Sequence, residues 1–145
     1  MNTKILRGMT AAVSLLTGIG AASPTMAGYT GAQALGALAN AIDVWTFDCP
    51  AGFGGRARVN DLPNPANPPD VQVMLGQNGK PTQVVTDTTD NGAYSAFTPV
   101  ISASGGYAMV VRKTGPAPEI YSGHGQCITP AGHISEPVLM LRISQ

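Results

Sequence analysis

The chain has 145 residues with 8 basic and 8 acidic side chains, 11% charged and 43% hydrophobic residues, 18 Gly and 12 Pro. That length fits one domain of ordinary size. The apolar content excludes intrinsic disorder, the scarcity of charge excludes a coiled coil or a large helical bundle, and the lack of any basic cluster argues against nucleic acid as a partner.

Residues 1–27 have the pattern of a secretory signal peptide. Lys4 and Arg7 supply the positive flank, and residues 9–22 form an uncharged, mostly apolar stretch. Ser23-Pro24 breaks the run, and Ala27 places a small residue at the cleavage edge. The apolar stretch is too short to span a bilayer, so no membrane span is expected. Ala39-Asn-Ala41 is a second small-x-small site. Cleavage at Ala27 removes Lys4 and Arg7 and leaves a formal charge of −2. The expectation is an exported bacterial protein, secreted or periplasmic.

Residues 28–41 form a Gly/Ala-rich leader. Leu35, Leu38 and Ile42 fall at helical spacing, but Gly31 and Gly36 weaken a helix, so a loose segment fits equally well. From residue 42 the pattern is β. Ile42, Val44 and Thr46 alternate with Trp45, Phe47 and Cys49, and the run stops at Pro50. Residues 56–60 alternate charge with apolar side chains as a half-buried strand does. Pro63, Pro65, Pro68 and Pro69 make residues 62–69 an extended surface loop. Strands follow over 71–75 and 82–86, joined at the Asn78-Gly79 hairpin signal. Further strands are expected over 93–98, 100–103, 107–112 (the most apolar and so the central one), 119–122, 124–128 and 137–143. Short strands with turns every 8–14 residues and no convincing helix predict an all-β fold: a single antiparallel β-sandwich, jelly-roll or immunoglobulin-like, over residues 42–145.

Cys49 and Cys127 are the only cysteines. In an exported chain they read as one disulfide. Zinc at His124 and Cys127 is the lesser alternative, because Cys49 has no near partner.

At Asp90-Asn-Gly-Ala-Tyr94, Gly105-Gly-Tyr-Ala-Met-Val-Val-Arg112 and Tyr121 the sequence resembles the bacterial pre-peptidase C-terminal domain, over residues 71–143. The resemblance implies an exported β-sandwich of the kind attached to secreted hydrolases. This chain departs from the pattern in lacking a catalytic domain and in its Cys49–Cys127 pair, and looks like a stand-alone relative.

Four constellations could carry chemistry. Asp87, Asp90 and Asn91 gather oxygen ligands in one loop that Asp61 or Asp70 could join. This is a calcium candidate, although the spacing departs from the helix-loop-helix calcium pattern and Asn91-Gly92 is equally a turn. Ser122 and His124 could serve a hydrolase, but no nucleophile elbow accompanies them. His124 and His133, each beside glycines, read as exposed or loop histidines, and copper binding would need Met74, Met109 or Met140, which fit a core better. Trp45, Phe53, Tyr94, Phe97, Tyr107 and Tyr121 could stack on sugars, with Tyr94 and Phe53 the most exposed and the rest mainly core. Arg112-Lys113 reads as a solvated strand end. No cofactor beyond calcium is indicated. The expected role is a non-enzymatic binding or accessory module, with a carbohydrate or an envelope protein as the candidate partner. The alternatives are a calcium-binding module, a surface or matrix subunit that adds strands at residues 138–143, and a small hydrolase.

Overall fold

The computed structural model describes residues 27–64 and 69–145. The expected signal peptide up to residue 26 and the middle of the Pro-rich loop lie outside these residues. No helix occurs among the described residues, and two antiparallel sheets pack together as a sandwich. One sheet, A, holds β1 (Tyr29–Leu35), β7 (Glu119–Ile128) and β3 (Gly54–Asp61) in that order, with β8 (Ile134–Ser135) also paired to β7. The other, B, runs β5 (Gln83–Asp87), β4 (Val71–Gly76), β6 (Gly105–Lys113), β2 (Ile42–Cys49), β9 (Met140–Ser144). β6 is central, as its apolar sequence predicts.

Alternation decides what each strand buries. In β2, Asp43, Trp45, Phe47 and Cys49 point inward; in β6, Tyr107, Met109 and Val111 do; in β4, Val71, Val73 and Leu75 do. Phe47 stacks on Tyr107 with ring centroids 5.1 Å apart. The inward positions of β7 include Gly123 and Gly125, and the space is taken by the opposite sheet. A Cβ at Gly123 would lie 3.0 Å from Met109 Cε, and one at Gly125 3.0 Å from Leu139 and Phe47. Small residues inward on β7 thus make room for the large residues of sheet B. The Cys49–Cys127 bridge is formed, with Cα atoms 5.5 Å apart, and joins β2 of sheet B to β7 of sheet A.

The core also carries polar groups. Tyr121, fully buried, accepts a hydrogen bond from Trp45 Nε1 at 2.9 Å and donates to Asp43 Oδ2 at 2.6 Å. Burial, then the Asp43 carboxylate, pushes the Tyr121 hydroxyl well above its ordinary pKa, so it stays a donor.

Four expectations are corrected. The Gly/Ala-rich segment 28–41 is not helical, and its first half is not loose: residues 29–35 form β1, paired with β7 from Leu35↔Glu119 to Tyr29↔His124, while residues 36–41 are irregular. Cross-strand pairing overrides the weak local preference of a Gly/Ala sequence. Residues 93–103 form no regular strands. They run along the outer edge of β3 and seal it, with Ser95 N donating to Val59 O, Thr98 N to Ala57 O, and Gly55 and Ile101 exchanging both backbone bonds. The Thr98 and Ser95 hydroxyls accept from Ala57 N and Val59 N, so side chains replace part of the ladder. Lys113 is no solvated strand end: it is 4% exposed, and its Nζ donates to the carbonyls of Gly36 and Ala117. Residues 119–128 form one continuous strand.

Candidate functional site

The outward faces of three neighbouring strands converge on His124. The register places Tyr29 of β1, His124 of β7 and Arg58 of β3 in one row across sheet A, with Gln126 and Arg56 paired in the next. Arg56 and Arg58 point outward because Ala57 and Val59, which alternate with them, are fully buried in the core. The segment that seals β3 brings Tyr94 and Phe97 over the same face, and Glu136 follows β8.

These side chains form one continuous hydrogen-bond chain. Arg58 Nε donates to His124 Nδ1 at 3.1 Å, and His124 Nε2 donates to Glu136 Oε2 at 2.9 Å. Arg56 Nε donates to Gln126 Oε1 at 2.8 Å, and Gln126 Nε2 donates to the other Glu136 oxygen at 2.7 Å. One carboxylate is therefore the terminal acceptor of two arms, each beginning at an arginine. The donor from Arg58 requires a bare Nδ1 lone pair, so His124 is the neutral Nε2–H tautomer. Burial lowers its pKa, Glu136 opposes that, and Arg58 and Arg56 add to the lowering.

Rings complete the face. Tyr29 stacks on His124 at 4.0 Å and 14°, and Tyr94 and Phe97 pack against the same imidazole at 6.1 and 5.3 Å. The Arg56 guanidinium lies 4.0 Å from the Phe97 centroid, and that of Arg58 lies 4.4 Å from Phe97 and 4.6 Å from Tyr94. Arg56, Arg58, Tyr29, Tyr94 and Phe97 are all half-buried. Among the described residues neither guanidinium has a carboxylate within ion-pair distance.

His124 is thus not an exposed loop histidine: it is 2% exposed in mid-strand, whereas His133 is exposed. The Ser122 hydroxyl donates to Tyr94 OH at 3.0 Å and His124 bonds to Arg58 and Glu136, so Ser122 and His124 do not pair as nucleophile and base. Neither is His124 offered to copper, since both ring nitrogens are engaged, and Met109 is buried in the core. Cys127 is bound in the disulfide and is unavailable to zinc. Trp45, Tyr107 and Tyr121 are core residues, and Phe53 packs against the core.

The Asp87–Asn91 loop gathers acids, but their oxygens serve the backbone. Asp87 Oδ2 accepts from Asp61 N at 3.0 Å, and its Oδ1 accepts from Thr89 N and Oγ1. Asp90 accepts from Asn64 N through both oxygens, and Asn91 Oδ1 accepts from Ala93 N at 2.8 Å. Gly92 takes a φ of 73°, the conformation a turn requires there. Among the described residues no group of three or more His, Cys, Asp or Glu side chains is disposed to share a metal ion. Behind the loop, Asp61 and Glu119 are both buried. Burial first, then Glu119, Asp87 and Asp90, raises the Asp61 carboxyl to about 7.

Two clefts lie away from the arginine–aromatic face. One of about 630 Å³ opens on sheet B between Thr46, Gln77, Ala108 and Arg142, and one of about 450 Å³ lies between Phe53, Val100, Ser104 and Thr129. No family model matches the chain, and neither the curated proteins nor the solved structures contain a match.

Proposed function

We propose that this chain is an exported, non-catalytic binding module that meets its ligand on the outer face of sheet A, at Arg56, Arg58, Tyr29, Tyr94 and Phe97. The observation that carries the reading is the pair of half-buried guanidiniums that have no ionic partner among the described residues and are held by the hydrogen-bond arms that end on Glu136. Arginine heads fixed in this way lose little freedom when they bind, which favours recognition. The separation of Ser122 from His124 supports binding over hydrolysis. The resemblance to pre-peptidase C-terminal domains points the same way, toward an accessory sandwich.

Export is supported by the N-terminal pattern and by the cystine. Cleavage after Ala27 leaves β1 whole, whereas cleavage after Ala41 would remove it. N-terminal sequencing of the exported protein should therefore begin at Gly28. A screen of immobilised glycans and envelope proteins, run with wild type and with Arg56→Gln/Arg58→Gln, tests the binding reading. Retention of a ligand by wild type and its loss from the variant is expected; equal retention by both refutes this face as the site.

A second reading, assembly by strand addition, rests on β9. That strand is an edge of sheet B and exposes Met140, Leu141 and Ile143 at 40–43%. Unpaired edges with apolar side chains accept further strands. A monomer whose size-exclusion volume is independent of concentration would remove this reading.

A further inference from the structure

We propose that the ligand of the arginine–aromatic face is an acidic polysaccharide, recognised through carboxylates on its sugar rings; this rests on the binding reading above. Arg56 and Arg58 stand two residues apart on one side of β3, about 6.8 Å along the strand, so they present two cationic heads in a line. A guanidinium binds a planar oxyanion through two parallel N–H bonds, and a polymer with regularly placed carboxylates can engage both heads together.

The unspent donors fit this role. Arg58 uses Nε on His124, and among the described residues no hydrogen bond holds its terminal nitrogens. Arg56 uses Nε and one terminal nitrogen on Gln126, leaving the other. The Tyr94 and Phe97 rings pack against the guanidiniums in cation–π contact and shield them from part of their water. Tyr29 and Tyr94 flank the arginines and are half-buried, so they still show ring surface at the face. Such surface packs against the apolar side of a pyranose. Charge distribution favours a glycan over nucleic acid: the chain from Gly28 carries a formal charge of −2, and two arginines supply a local contact without the extended positive field that a phosphate backbone selects.

The pattern also explains why Glu136 does not abolish the site. Its two oxygens are occupied by His124 and Gln126 rather than by the arginines, so it orients both arms without neutralising either head by direct contact.

The test is native affinity electrophoresis of the disulfide-bonded protein in gels containing polygalacturonate. Parallel gels contain a neutral galactan, heparin as a sulfate-bearing polymer, or single-stranded DNA. Retardation by polygalacturonate at least tenfold stronger than by neutral galactan is expected, weakening between 0.15 and 0.5 M salt. Arg56→Gln/Arg58→Gln should lose that retardation. Arg56→Lys/Arg58→Lys, which keeps the charges but not the forked donors, should retain only part of it, and circular dichroism checks that each variant is folded. Equal retardation by neutral galactan, with loss in the Gln variant, overturns the acidic class and leaves the face intact as a binding site. Preference for heparin or DNA over polygalacturonate overturns the carboxylate assignment. Retardation unchanged in the folded Gln variant overturns both the ligand class and the face.

Discussion

Replacing Tyr121 by Phe keeps a fully buried ring and removes one oxygen that two partners share. Trp45 Nε1 loses its acceptor at 2.9 Å and Asp43 Oδ2 its donor at 2.6 Å. Asp43 Oδ1 already has no partner among the described residues, so the substitution strands the whole carboxylate. An orphaned buried donor costs about 1–3 kcal/mol and an orphaned charged acceptor more. The expected loss is therefore about 3–5 kcal/mol, a large part of the ~5–15 kcal/mol by which a domain is stable. Trp45 is the single tryptophan of the chain and only 1% exposed, so its emission reports unfolding from within the perturbed site. With a urea slope of about 1.5 kcal/mol/M, the midpoint should fall by about 2–3 M. Trp45→Phe combined with Tyr121→Phe, followed by circular dichroism, should cost less than the two single losses added, because the tryptophan donor is no longer stranded. A midpoint shift under about 0.5 M, or strict additivity in the double variant, would refute the reasoning.

The Cys49–Cys127 bridge spans 78 residues of sequence, and closing a loop of that length in the unfolded chain stabilises by about 4–5 kcal/mol; thermal melts of Cys49→Ala/Cys127→Ala and of reduced wild type should fall together, and unchanged melts would contradict this. The Asp61 carboxyl is raised to about 7 from an ordinary 3.8, so the native state holds a proton that the unfolded chain has released. The stability this group contributes is complete below about pH 4 and is lost as pH rises to 7. Asp61→Asn should remove that fall from a series of melts across pH, and an identical pH dependence in the variant would count against it. Since the oxygens of Asp87, Asp90 and Asn91 already accept from the backbone, millimolar calcium against chelator should leave the melting temperature unchanged; a rise would restore the loop as a calcium site.

The strands with strong alternation could be read directly: residues 42–49 and 107–112 combine period-two burial with β-branched and aromatic side chains. β1 could not, because its Gly and Ala residues carry little preference and its order comes from pairing with a strand some ninety positions away. The segment 93–103 has strand-like composition, but Pro99 and the bonding of Ser95 and Thr98 side chains into β3 leave it irregular. The site was hidden for a related reason. Gly123 and Gly125 look like loop residues in sequence, whereas their role is to admit Met109, Phe47 and Leu139 while His124 and Gln126 project outward. Tyr29 lay in the discounted leader, and Arg56 and Arg58 read only as the wet side of a strand. The one signal available was Arg-x-Arg on β3, to be matched with His-x-Gln on β7 once their pairing is known.

The cystine also decides how the molecule answers to tension. β1 and β9 lie near the two ends of the described chain and in different sheets. Once the pairings of β1 with β7 and of β2 with β6 have parted, a pull between them passes from β2 through Cys49 to Cys127 and out through β8, so the covalent loop bearing β3 to β6 and most of β7 is not drawn out. Only the segments outside the loop can pay out, about 130 Å at ~3.5 Å per residue, against about 400 Å once the bridge is reduced. Oxidised, the protein can reach no further than about 130 Å between its two outer strands; reduction would roughly triple that reach.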